Sequence, residues 1–450
     1  MKIAVIGAKG LPSRISGLEV YVNNVCTGLA ADFEITVFVR KRYCDEIVKR
    51  YKGVRIVHIP SINTKHLDAV SYSFFATIAA IFGGYDIFWY QALGPAVTAF
   101  LPKLFGKKIL STVHGLDWKR EKFGKLASYV LKKGEKAIAK YADGIIVLNE
   151  SDAGYFLKTW KRKANVIHNG VKAAHYAAAK SITGKYRIKK GEYFLFLSRL
   201  VPEKNVHCLI RAFQKLDTDK KLIIAGKGVH TSLYENEVRK MARNNENIQF
   251  AGYVEGTLLE ELYSNAYAYI LPSTIEGQSI GLLEAMSYGL PCIVSDIPEN
   301  AGVIGDAGLS FASNDVEALK DRLRKKPSNE SQIPRGSQDH CPNARESRKA
   351  LRSLWQNRSI RCALLHPYIL LSFSYPYPDL YSDLFMYIYM HLSITSLVHR
   401  IVFSQSCSFK AISLALAPIT RNSPGWSMAN FSLSFNASTS FERNPAGRTL

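Results

Sequence analysis

The chain has 450 residues, enough for two or three domains that each bury a hydrophobic core. It carries 59 Lys and Arg against 37 Asp and Glu, and the formal net charge of +22 favours polyanionic partners such as nucleic acid, anionic lipid or phosphorylated ligands. Seven cysteines without C-x-x-C spacing argue against a disulfide framework or a zinc site and indicate a reducing, cytoplasmic compartment.

Short apolar, β-branched runs alternate with helical patterns over the first half of the chain. The opening MKIAVIGAKG has too short an apolar run for a signal peptide and predicts a buried first strand. Helices are predicted over Leu18–Ala30 and Glu121–Tyr141. The predicted strands are Lys2–Ile6, Glu34–Val39, Arg55–Ile59, Asp86–Trp89, Lys108–Thr112, Gly144–Leu148 and Asn165–Ile167.

The alternation starts again after a polar linker at 173–190. Helices are predicted over Val206–Leu216 and Ile280–Tyr288. The strands predicted here are Tyr193–Leu197, Lys221–Ala225, Ile248–Ala251, Ala268–Leu271, Cys292–Ser295 and Leu309–Phe311. Apolar strands alternating with helices are typical of parallel sheets covered on both faces. The sequence therefore predicts an α/β protein with two Rossmann-like, doubly wound domains, residues 1–175 and 191–324, that face each other across a cleft.

Residues 325–450 differ in composition from the part before them. They hold 21 serines in 126 positions and three of the 30 glycines, and the strand–helix alternation stops. The apolar stretch Leu384–Val398 is shorter than a membrane span. One interpretation is a membrane-associated tail. We favour an atypical Ser/Arg-rich tail without the pattern of a folded domain, either disordered or translated out of frame.

The segment TIEGQSIGLLEAMSYGLP carries two carboxylates on or beside a predicted helix. Glu276 precedes the helix and Glu284 lies within it, on an otherwise apolar stretch where a glutamate needs a partner or an open cleft. Between them Gly277, Gln278 and Ser279 place backbone N–H groups at the positive end of the helix dipole. This arrangement predicts a site for a phosphate, with carboxylates that accept hydrogen bonds from sugar hydroxyls.

Two cations follow the first predicted strand of the second domain, in FLFLSRLVPEKN. Arg199 and Lys204 stand five positions apart in a loop interrupted by Pro202. Two cations beyond a strand end can bind a diphosphate without a metal ion. Solvated surface charges are the alternative, and the position at a strand end facing the other domain favours the binding role.

Two loops of the first domain also follow strands. Gly7, Gly10 and Gly17 make a flexible turn after the first strand that can bring backbone amides to a phosphate or sugar, although such glycines are as often structural. His114 and Asp117, in STVHGLDWKR, lie at the carboxyl edge of the predicted sheet, where parallel sheets bind ligands. An imidazole there can donate to a phosphate or hydroxyl, or exchange a proton.

Residues 119–140 form a basic, amphipathic stretch, KREKFGKLASYVLKKGEKAIAK. Its eight Lys and Arg against two Glu are typical of a helix that docks on anionic lipid. The same pattern is expected if the apolar side faces the domain core and the basic side faces solvent. The sequence does not distinguish these alternatives.

On these residues, 1–324 resemble the family-four (group 1) glycosyltransferases of the GT-B fold. The most specific part is E-G-x-S-x-G-L-x-E-A-M-x-x-G-x-P, matched from Glu276 to Pro291, together with SRLVPEKN at Ser198–Asn205. The segments VIHNGV, IIAGKG and NIQFAGYV appear in the expected order. The N-terminal GLPSRISGLE and VHGLDWKREKFGK are similar to a rhamnosyltransferase-like branch of bacterial polysaccharide biosynthesis.

The resemblance implies an acceptor-side first domain and a second domain that binds a nucleotide-sugar donor. Arg199 and Lys204 would bind the donor diphosphate and stabilise the charge on the leaving nucleoside diphosphate. Glu276 would accept hydrogen bonds from the donor sugar, and Glu284 from the ribose hydroxyls. The amides beside Gly277, at Gln278 and Ser279, would meet phosphate or sugar. From the first domain, His114, Asp117 and the Gly17 loop would complete the site.

The implied reaction is retaining transfer of a sugar to a lipid-linked or saccharide acceptor in cell-surface polysaccharide assembly. It implies no bound metal or other cofactor, and a cytoplasmic protein that is peripheral at the inner face of the plasma membrane. Two alternatives stay open: a GT-B nucleotide-sugar epimerase, and an inactive or misfolded glycosyltransferase, because nothing after Lys325 resembles the helices that usually complete the fold. Nucleic-acid binding is not expected, since aromatic and basic residues are not interleaved.

Overall fold

A computed structural model of the chain describes residues 1–13, 16–44, 47–64, 67–120, 124–228 and 232–325. Two sheets carry the fold, one in each predicted domain. The predicted tail and residues 121–123 of the basic stretch lie outside the described residues. Within the described part, no helix is both long and apolar enough to cross a bilayer. The four cysteines described there, Cys26, Cys44, Cys208 and Cys292, form no disulfide bond.

The first sheet has the strand order β3-β4-β2-β1-β5-β6-β7-β8. Its strands are parallel except β3, which pairs antiparallel with β4 and which the sequence pattern did not predict, because two residues are too few to show alternation. The strands are β1 Lys2–Ala8, β2 Glu34–Arg40, β3 Arg50–Tyr51, β4 Val54–Ile59, β5 Ile87–Gln91, β6 Lys108–Val113, β7 Gly144–Val147 and β8 Asn165–Val166.

Helices cover both faces of this sheet. They are α1 Gly17–Leu29, α2 Leu67–Phe82, α3 Phe100–Leu104, α4 Lys125–Tyr141 and α5 Glu150–Trp160. One core lies under α1, where Val22 and Leu29 pack against strand residues such as Val37. The other lies on the opposite face, where Tyr72 of α2 and Ile138 of α4 are fully buried. Two buried faces explain why the strands read as continuous apolar runs.

The second sheet has the order β11-β10-β9-β12-β13-β14, with every pair parallel. Its strands are β9 Tyr193–Leu197, β10 Lys221–Ala225, β11 Ile248–Gly252, β12 Ala268–Leu271, β13 Cys292–Ser295 and β14 Gly308–Phe311. Its helices are α6 Ser181–Tyr186, α7 Val206–Gln214, α8 Ser232–Ala242, α9 Gly256–Asn265, α10 Ile280–Ser287, α11 Pro298–Ile304 and α12 Val316–Arg324. The α/β prediction with two doubly wound sheets is therefore confirmed.

The stretch predicted as a polar linker contains the helix α6. Ile182, Tyr186 and Ile188 are buried in the same core as β9 and β12. The carboxylate of Glu261 on α9 accepts hydrogen bonds from the backbone amides of Lys180 and Ile182, both at 3.0 Å. Three apolar contacts in a polar stretch were too few to predict a helix, and the second folded unit therefore begins before residue 191.

Candidate active site

The order in which the chain adds strands to the second sheet reverses between β9 and β12. The neighbours of β9 are β10 on one side and β12 on the other, so the chain leaves these two strands toward opposite sides of the sheet. In open α/β sheets ligands bind in the crevice that this arrangement opens at the carboxyl ends of the strands. Arg199 follows β9 and Glu276 follows β12. The sequence-predicted charges of this domain therefore converge on one crevice.

Lys204 and Glu276 form a buried ion pair in this crevice, between Nζ and Oε1. Their side chains are 8% and 6% exposed, respectively. The two loops that carry them are also joined by the backbone, since the Thr274 amide donates to the Glu203 carbonyl at 3.0 Å. Burial lowers the pKa of Lys204, and the Glu276 carboxylate opposes that shift. A ligand diphosphate that took Lys204 would release Glu276 to accept hydrogen bonds from a sugar.

Arg199 lies beside this pair as a half-buried cation. No carboxylate pairs with it in the part of the chain that the structure describes. It lies near Lys204 and Lys9, and its positive charge contributes to lowering the pKa of both lysines. A half-buried guanidinium without an anion favours binding of an anionic ligand.

The N-terminus of α10 borders the same crevice. Ser279 is the N-cap, and its Oγ accepts from the Leu282 amide at 3.3 Å. Among the described residues, no hydrogen-bond acceptor is found for the amides of Gln278 and Ser279. These donors lie where the helix dipole favours an anion. Glu284 is held one turn further on, by the Tyr263 hydroxyl at 3.1 Å from its Oε2.

The two domains meet at a glycine-to-glycine contact. A Cβ on Gly277 would lie 2.1 Å from the His114 carbonyl oxygen, and one on Gly115 would lie 3.2 Å from the Gly277 Cα. Gly115 also has a φ of +116°, which disfavours any side chain. Only glycines allow the backbone before α10 to approach the loop after β6 this closely. Gly17 lies at the same junction, since a Cβ there would be 3.6 Å from Ile280 Cδ1.

Two asparagines of the first domain hold the loop before α10. Asn149 Nδ2 donates to the Gly277 carbonyl at 2.7 Å, and Asn169 Nδ2 donates to the Gln278 carbonyl at 3.0 Å. The Gln278 side chain accepts from the Asn169 amide and lies 3.1 Å from His168 Nδ1. The Gln278 amide group therefore serves the domain junction, and only its backbone N–H faces the predicted phosphate position.

His114 faces its own domain. Its Nε2 lies 3.0 Å from Gln91 Oε1, and its ring meets Tyr21 edge-on at 4.8 Å. Desolvation, assisted by the charge of Arg120, lowers its pKa to about 3. The imidazole is therefore neutral at neutral pH, which favours a hydrogen-bonding role over proton exchange.

Arg120 is a residue that the sequence analysis did not single out. It pairs with Asp117 at 2.9 Å within its own loop and with Glu203 of the second domain at 3.5 Å. The Arg120 and Glu203 side chains are 12% and 4% exposed. Asp117 is thus engaged by Arg120 instead of standing free for substrate. The network places an ion pair between the domains, one residue from Lys204.

Family models cover both halves of the chain. The model for Glycosyltransferase Family 4 matches residues 15–175, and the model for Glycosyl transferases group 1 matches residues 180–341. The chain belongs to the group 1 glycosyltransferases. Its sequence resemblance to that family is thereby confirmed.

Individual relatives match parts of this chain. O-antigen chain mannosyltransferase B of Escherichia coli is 34% identical over 140 residues, 30% of this chain and 36% of the relative. The E. coli UDP-Gal:alpha-D-GlcNAc-diphosphoundecaprenol alpha-1,3-galactosyltransferase is 26% identical over 233 residues, 48% of this chain and 59% of that protein. In both cases the match spans less than two thirds of the relative's own length.

Anabaena HepE, solved in complex with UDP and glucose, shares the fold. Its TM-score is 0.65 at 15% sequence identity, over 78% of this chain and 100% of that chain. At this identity the likeness establishes architecture, and it confirms the GT-B prediction for the glycosyltransferase.

The described residues of the glycosyltransferase contain no group of three His, Cys, Asp or Glu side chains placed to hold a metal ion. Arg199, Lys204, Glu276 and the amides before α10 lie together, as their motifs suggested. Arg120, Asn149 and Asn169 were missed. Arg120 lies in VHGLDWKR and Asn169 in VIHNGV, whereas Asn149 directly follows the predicted strand Gly144–Leu148. Nothing in the local pattern shows that these side chains cross to the other domain.

Helix α4 carries most of the basic stretch, for which core packing and lipid docking were the two alternatives. Its apolar side faces the core through Leu131 and Ile138. Leu126 and Tyr129 do not, since they are 64% and 58% exposed. The remaining exposed positions of the helix are lysines: Lys125, Lys132, Lys133, Lys136 and Lys140. The exposed face is therefore basic, with two apolar side chains near its beginning.

Proposed function

We propose that this chain transfers a sugar from a nucleoside-diphosphate sugar to a lipid-linked or saccharide acceptor in bacterial cell-surface polysaccharide assembly, with retention of the anomeric configuration. The observation that carries the proposal is Arg199, which pairs with no carboxylate among the described residues, beside the Lys204–Glu276 pair at the crevice where β9 and β12 part. This is a cationic pocket with a carboxylate and free helix amides, which matches a diphosphate joined to a sugar.

Each group has a distinct part in the proposed reaction. Arg199 and Lys204 neutralise the diphosphate in place of a metal ion and stabilise the negative charge that grows on it as the glycosidic bond breaks. Glu276, released from Lys204, accepts hydrogen bonds from sugar hydroxyls. Glu284, oriented by Tyr263, does the same for the ribose. The proton of the attacking hydroxyl passes to the departing phosphate, so no protein nucleophile is needed.

The names of similar proteins support a hexose donor on a nucleoside diphosphate. HepE was crystallised with UDP and glucose, and the two E. coli relatives are a mannosyltransferase and a UDP-Gal galactosyltransferase. The galactosyltransferase name specifies a diphosphoundecaprenol acceptor. A lipid-linked acceptor would place this chain at the inner face of the plasma membrane.

The proposal is tested with Glu276→Ala. We expect transfer to be abolished while the fold is kept, because the carboxylate contacts the sugar in the proposed complex. The donor is identified first, from the increase in melting temperature produced by UDP-, GDP- and dTDP-sugars, since a ligand of the native state stabilises it. Transfer and far-UV circular dichroism are then measured for the variant.

Two further variants make this test specific. Glu284→Ala should mainly raise the donor KM, because the ribose is remote from the reacting carbon. Glu246→Ala, at an exposed position remote from the crevice, should behave as the parent chain. Full transfer by Glu276→Ala would refute the assignment of the site.

We also propose that the exposed face of α4 binds anionic lipid. Five exposed lysines supply the electrostatic attraction, and Leu126 and Tyr129 supply apolar contact with the acyl boundary. Replacing Lys132, Lys133 and Lys136 by Gln should weaken binding to phosphatidylglycerol vesicles, measured by sedimentation, by roughly 100-fold, at about 1 kcal/mol per charge. Replacing Lys185, Lys189 and Lys190, which are exposed in the second domain, is the matched control. Equal binding by the two triple variants would contradict the role of α4.

A further inference from the structure

A cluster of cations lies at the carboxyl edge of the first sheet, outside the pocket described above. Lys9 follows β1, Arg40 ends β2, and Arg42 and Tyr43 lie in the short 3₁₀ turn after β2. The two strands are neighbours and parallel, so their carboxyl ends lie side by side. The Arg40 amide donates to the Lys9 carbonyl at 3.0 Å, which joins the two loops.

Three cations surround one aromatic ring in this cluster. Lys9 Nζ, the Arg40 guanidinium and the Arg42 guanidinium lie 5.2, 5.9 and 5.3 Å from the centre of the Tyr43 ring. The ring face attracts each cation, but it does not neutralise any of them. Lys41 is exposed in the same turn and adds a fourth positive charge.

The carboxylates within the cluster are too few for these charges. Asp68 pairs with Arg40 at 2.8 Å and with Arg42 at 3.6 Å, and it also accepts from Ser61 and Tyr43. Glu19 is buried and accepts from the Lys9 backbone amide and from Ser16. One carboxylate is thus shared by two guanidiniums, and no ion pair of Lys9 Nζ is found in the described part of the chain.

The buried and exposed members of the cluster have different parts. Arg40 is 8% exposed, stacks on Tyr72 at 5.0 Å and keeps its Nε buried without a hydrogen-bond acceptor. It pairs with Asp68 and lies over the Tyr43 ring, and so holds both side chains in place. Arg42, Lys9 and Tyr43 are exposed or half-buried and can reach a ligand. The cluster therefore consists of a buried arginine and of more accessible cations.

Lys9 connects this cluster with the donor crevice. Burial is the largest cause that lowers its pKa, and the charges of Arg40 and Arg199 lower it further, against Glu19 and Asp68. Lys9 is therefore near both Arg40 of the first domain and Arg199 of the second. A ligand held here would lie next to a donor held there.

We propose that Lys9 and Arg42, which lie over the Tyr43 ring, bind a phosphate ester of the acceptor, so that the acceptor is a sugar linked through phosphate or diphosphate and not a neutral saccharide. This inference rests on the proposed transfer reaction, and it specifies the chemistry of the acceptor. The Arg42 guanidinium and the Lys9 ammonium group provide donors for phosphate oxygens, while the Tyr43 hydroxyl donates to Asp68. The position on the first domain, across from Arg199, separates this subsite from that of the donor diphosphate.

The test is calorimetric titration of the full chain with octyl diphosphate, with and without saturating UDP. We expect binding in the presence of UDP, and roughly 10-fold weaker binding for Lys9→Gln and for Arg42→Gln, because each loses a hydrogen bond between charged groups. The affinity for UDP should not change in either variant. The controls are Lys185→Gln, another lysine over a tyrosine ring at 5.3 Å, and Arg55→Gln, an exposed arginine on β4.

Other outcomes distinguish an acceptor phosphate subsite from phosphate binding in the donor site and from binding of lipid headgroups. Competition between octyl diphosphate and UDP, or loss of octyl diphosphate binding in Arg199→Gln alone, would place the phosphate in the donor site and refute the inference. Unchanged affinity in Lys9→Gln and Arg42→Gln would do the same. If none of UDP, GDP and dTDP binds, the proposed function fails, and the titration without nucleotide still decides the subsite. Weaker binding of the same variants to phosphatidylglycerol vesicles, with octyl diphosphate binding kept, would assign the cluster to lipid headgroups instead.

Discussion

The two domains contribute to the site in different ways. The second domain supplies charge, through Arg199, Lys204 and Glu276, from two segments that are each continuous in sequence. The first domain supplies shape and attachment, through the Gly115 backbone and the side chains of Arg120, Asn149 and Asn169. These four come from three separate loops. The charged half of the candidate site is therefore local in sequence, and the half that contacts it from the first domain is not.

This difference indicates that closure and ligand binding can be altered separately. In the proposed function, charge in the second domain would determine whether a diphosphate binds. The contacts from the first domain determine whether the loop before α10 is held in one position. Variants of the junction should therefore lower turnover before they lower donor affinity.

The largest effect is expected for Gly277→Ala. The new Cβ would lie 2.1 Å from the His114 carbonyl oxygen, which belongs to backbone and cannot rotate away. The two domains must then separate by a fraction of an ångström or more, and a displacement of about 1 Å at a reacting centre costs roughly 100-fold in rate. We expect kcat to fall by about that factor with little change in UDP affinity, measured by steady-state kinetics and calorimetry.

Gly302→Ala is the matched control for this variant. A Cβ at Gly302 of α11 meets nothing within 4 Å. Alanine should be neutral there or stabilise the helix by about 0.5–1 kcal/mol. If Gly277→Ala kept full kcat, the close contact between the domains would not be part of the active arrangement.

A smaller effect is expected for Arg120→Met. The substitution keeps length and apolar volume but leaves Glu203, 4% exposed, without the cation from the first domain. Breaking a buried pair from one side costs about 3 kcal/mol. We expect a loss of that order in urea unfolding, and a fall of about 10-fold in kcat/KM because Glu203 adjoins Lys204.

The control for Arg120 is Arg324→Met. Arg324 pairs with Asp321 at 3.9 Å, and both side chains are more than 60% exposed. Its loss should change stability by less than about 0.5 kcal/mol. Equal behaviour of the two arginine variants would show that the Arg120 pair does not connect the domains in solution.

The smallest effect is a pH dependence at Asp152. This residue lies in the first turn of α5, and its pKa is raised to about 6, mainly by desolvation. The negative charges of Glu299 and Asp117 also raise the pKa, whereas the hydrogen bond from Asn149 and the charge of Lys119 lower it. The folded state binds the proton more tightly than the unfolded state, so this contribution to stability is present below about pH 4 and lost as pH rises through 6.

Asp152→Asn should remove that loss. Relative to the parent chain, we expect the variant to gain roughly 1–3 kcal/mol of unfolding free energy between pH 5 and pH 7.5. The lowered pKa of His114 gives the unfolding free energy the opposite pH dependence, because folding favours the neutral imidazole and this stabilisation is lost as pH falls below 6.5. This effect is the same in the variant and the parent chain and cancels in their difference. Asp306→Asn, at an exposed position, serves as the control. A difference that is independent of pH would show that Asp152 is not perturbed by the domain junction.

Most of the fold was predictable because its strands are buried on both faces. Three strands have the predicted bounds: Tyr193–Leu197, Lys221–Ala225 and Ala268–Leu271. An apolar run between polar turns is typical of a parallel strand that is buried on both faces. The two-residue strand β3 and the short helix α6 were missed. Both depend on contacts made after the sheet has formed, such as Ile182 against the core of the second domain.

Part of the site was equally predictable. Arg199, Lys204 and Glu276 are charges at strand ends, and a charge at the carboxyl edge of a parallel sheet indicates a ligand. Gln278 shows the limit of that reasoning. Its position before α10 suggested a ligand contact, yet its side chain bonds to Asn169 and lies against His168. Nothing in the spacing of GQSIG tells whether the amide group faces a ligand or another domain.

By itself the sequence determined the α/β class, the two sheets, the glycosyltransferase family and the cationic pocket of the second domain, because each follows from short-range pattern: strand period, helix start and motif spacing. Tertiary structure alone decided which residues of the first domain reach that pocket. Arg120 and Glu203 are 83 residues apart, and Asn149 and Gly277 are 128 apart. Contacts over such separations depend on how two folded domains meet, and that geometry leaves no periodicity in either partner's sequence.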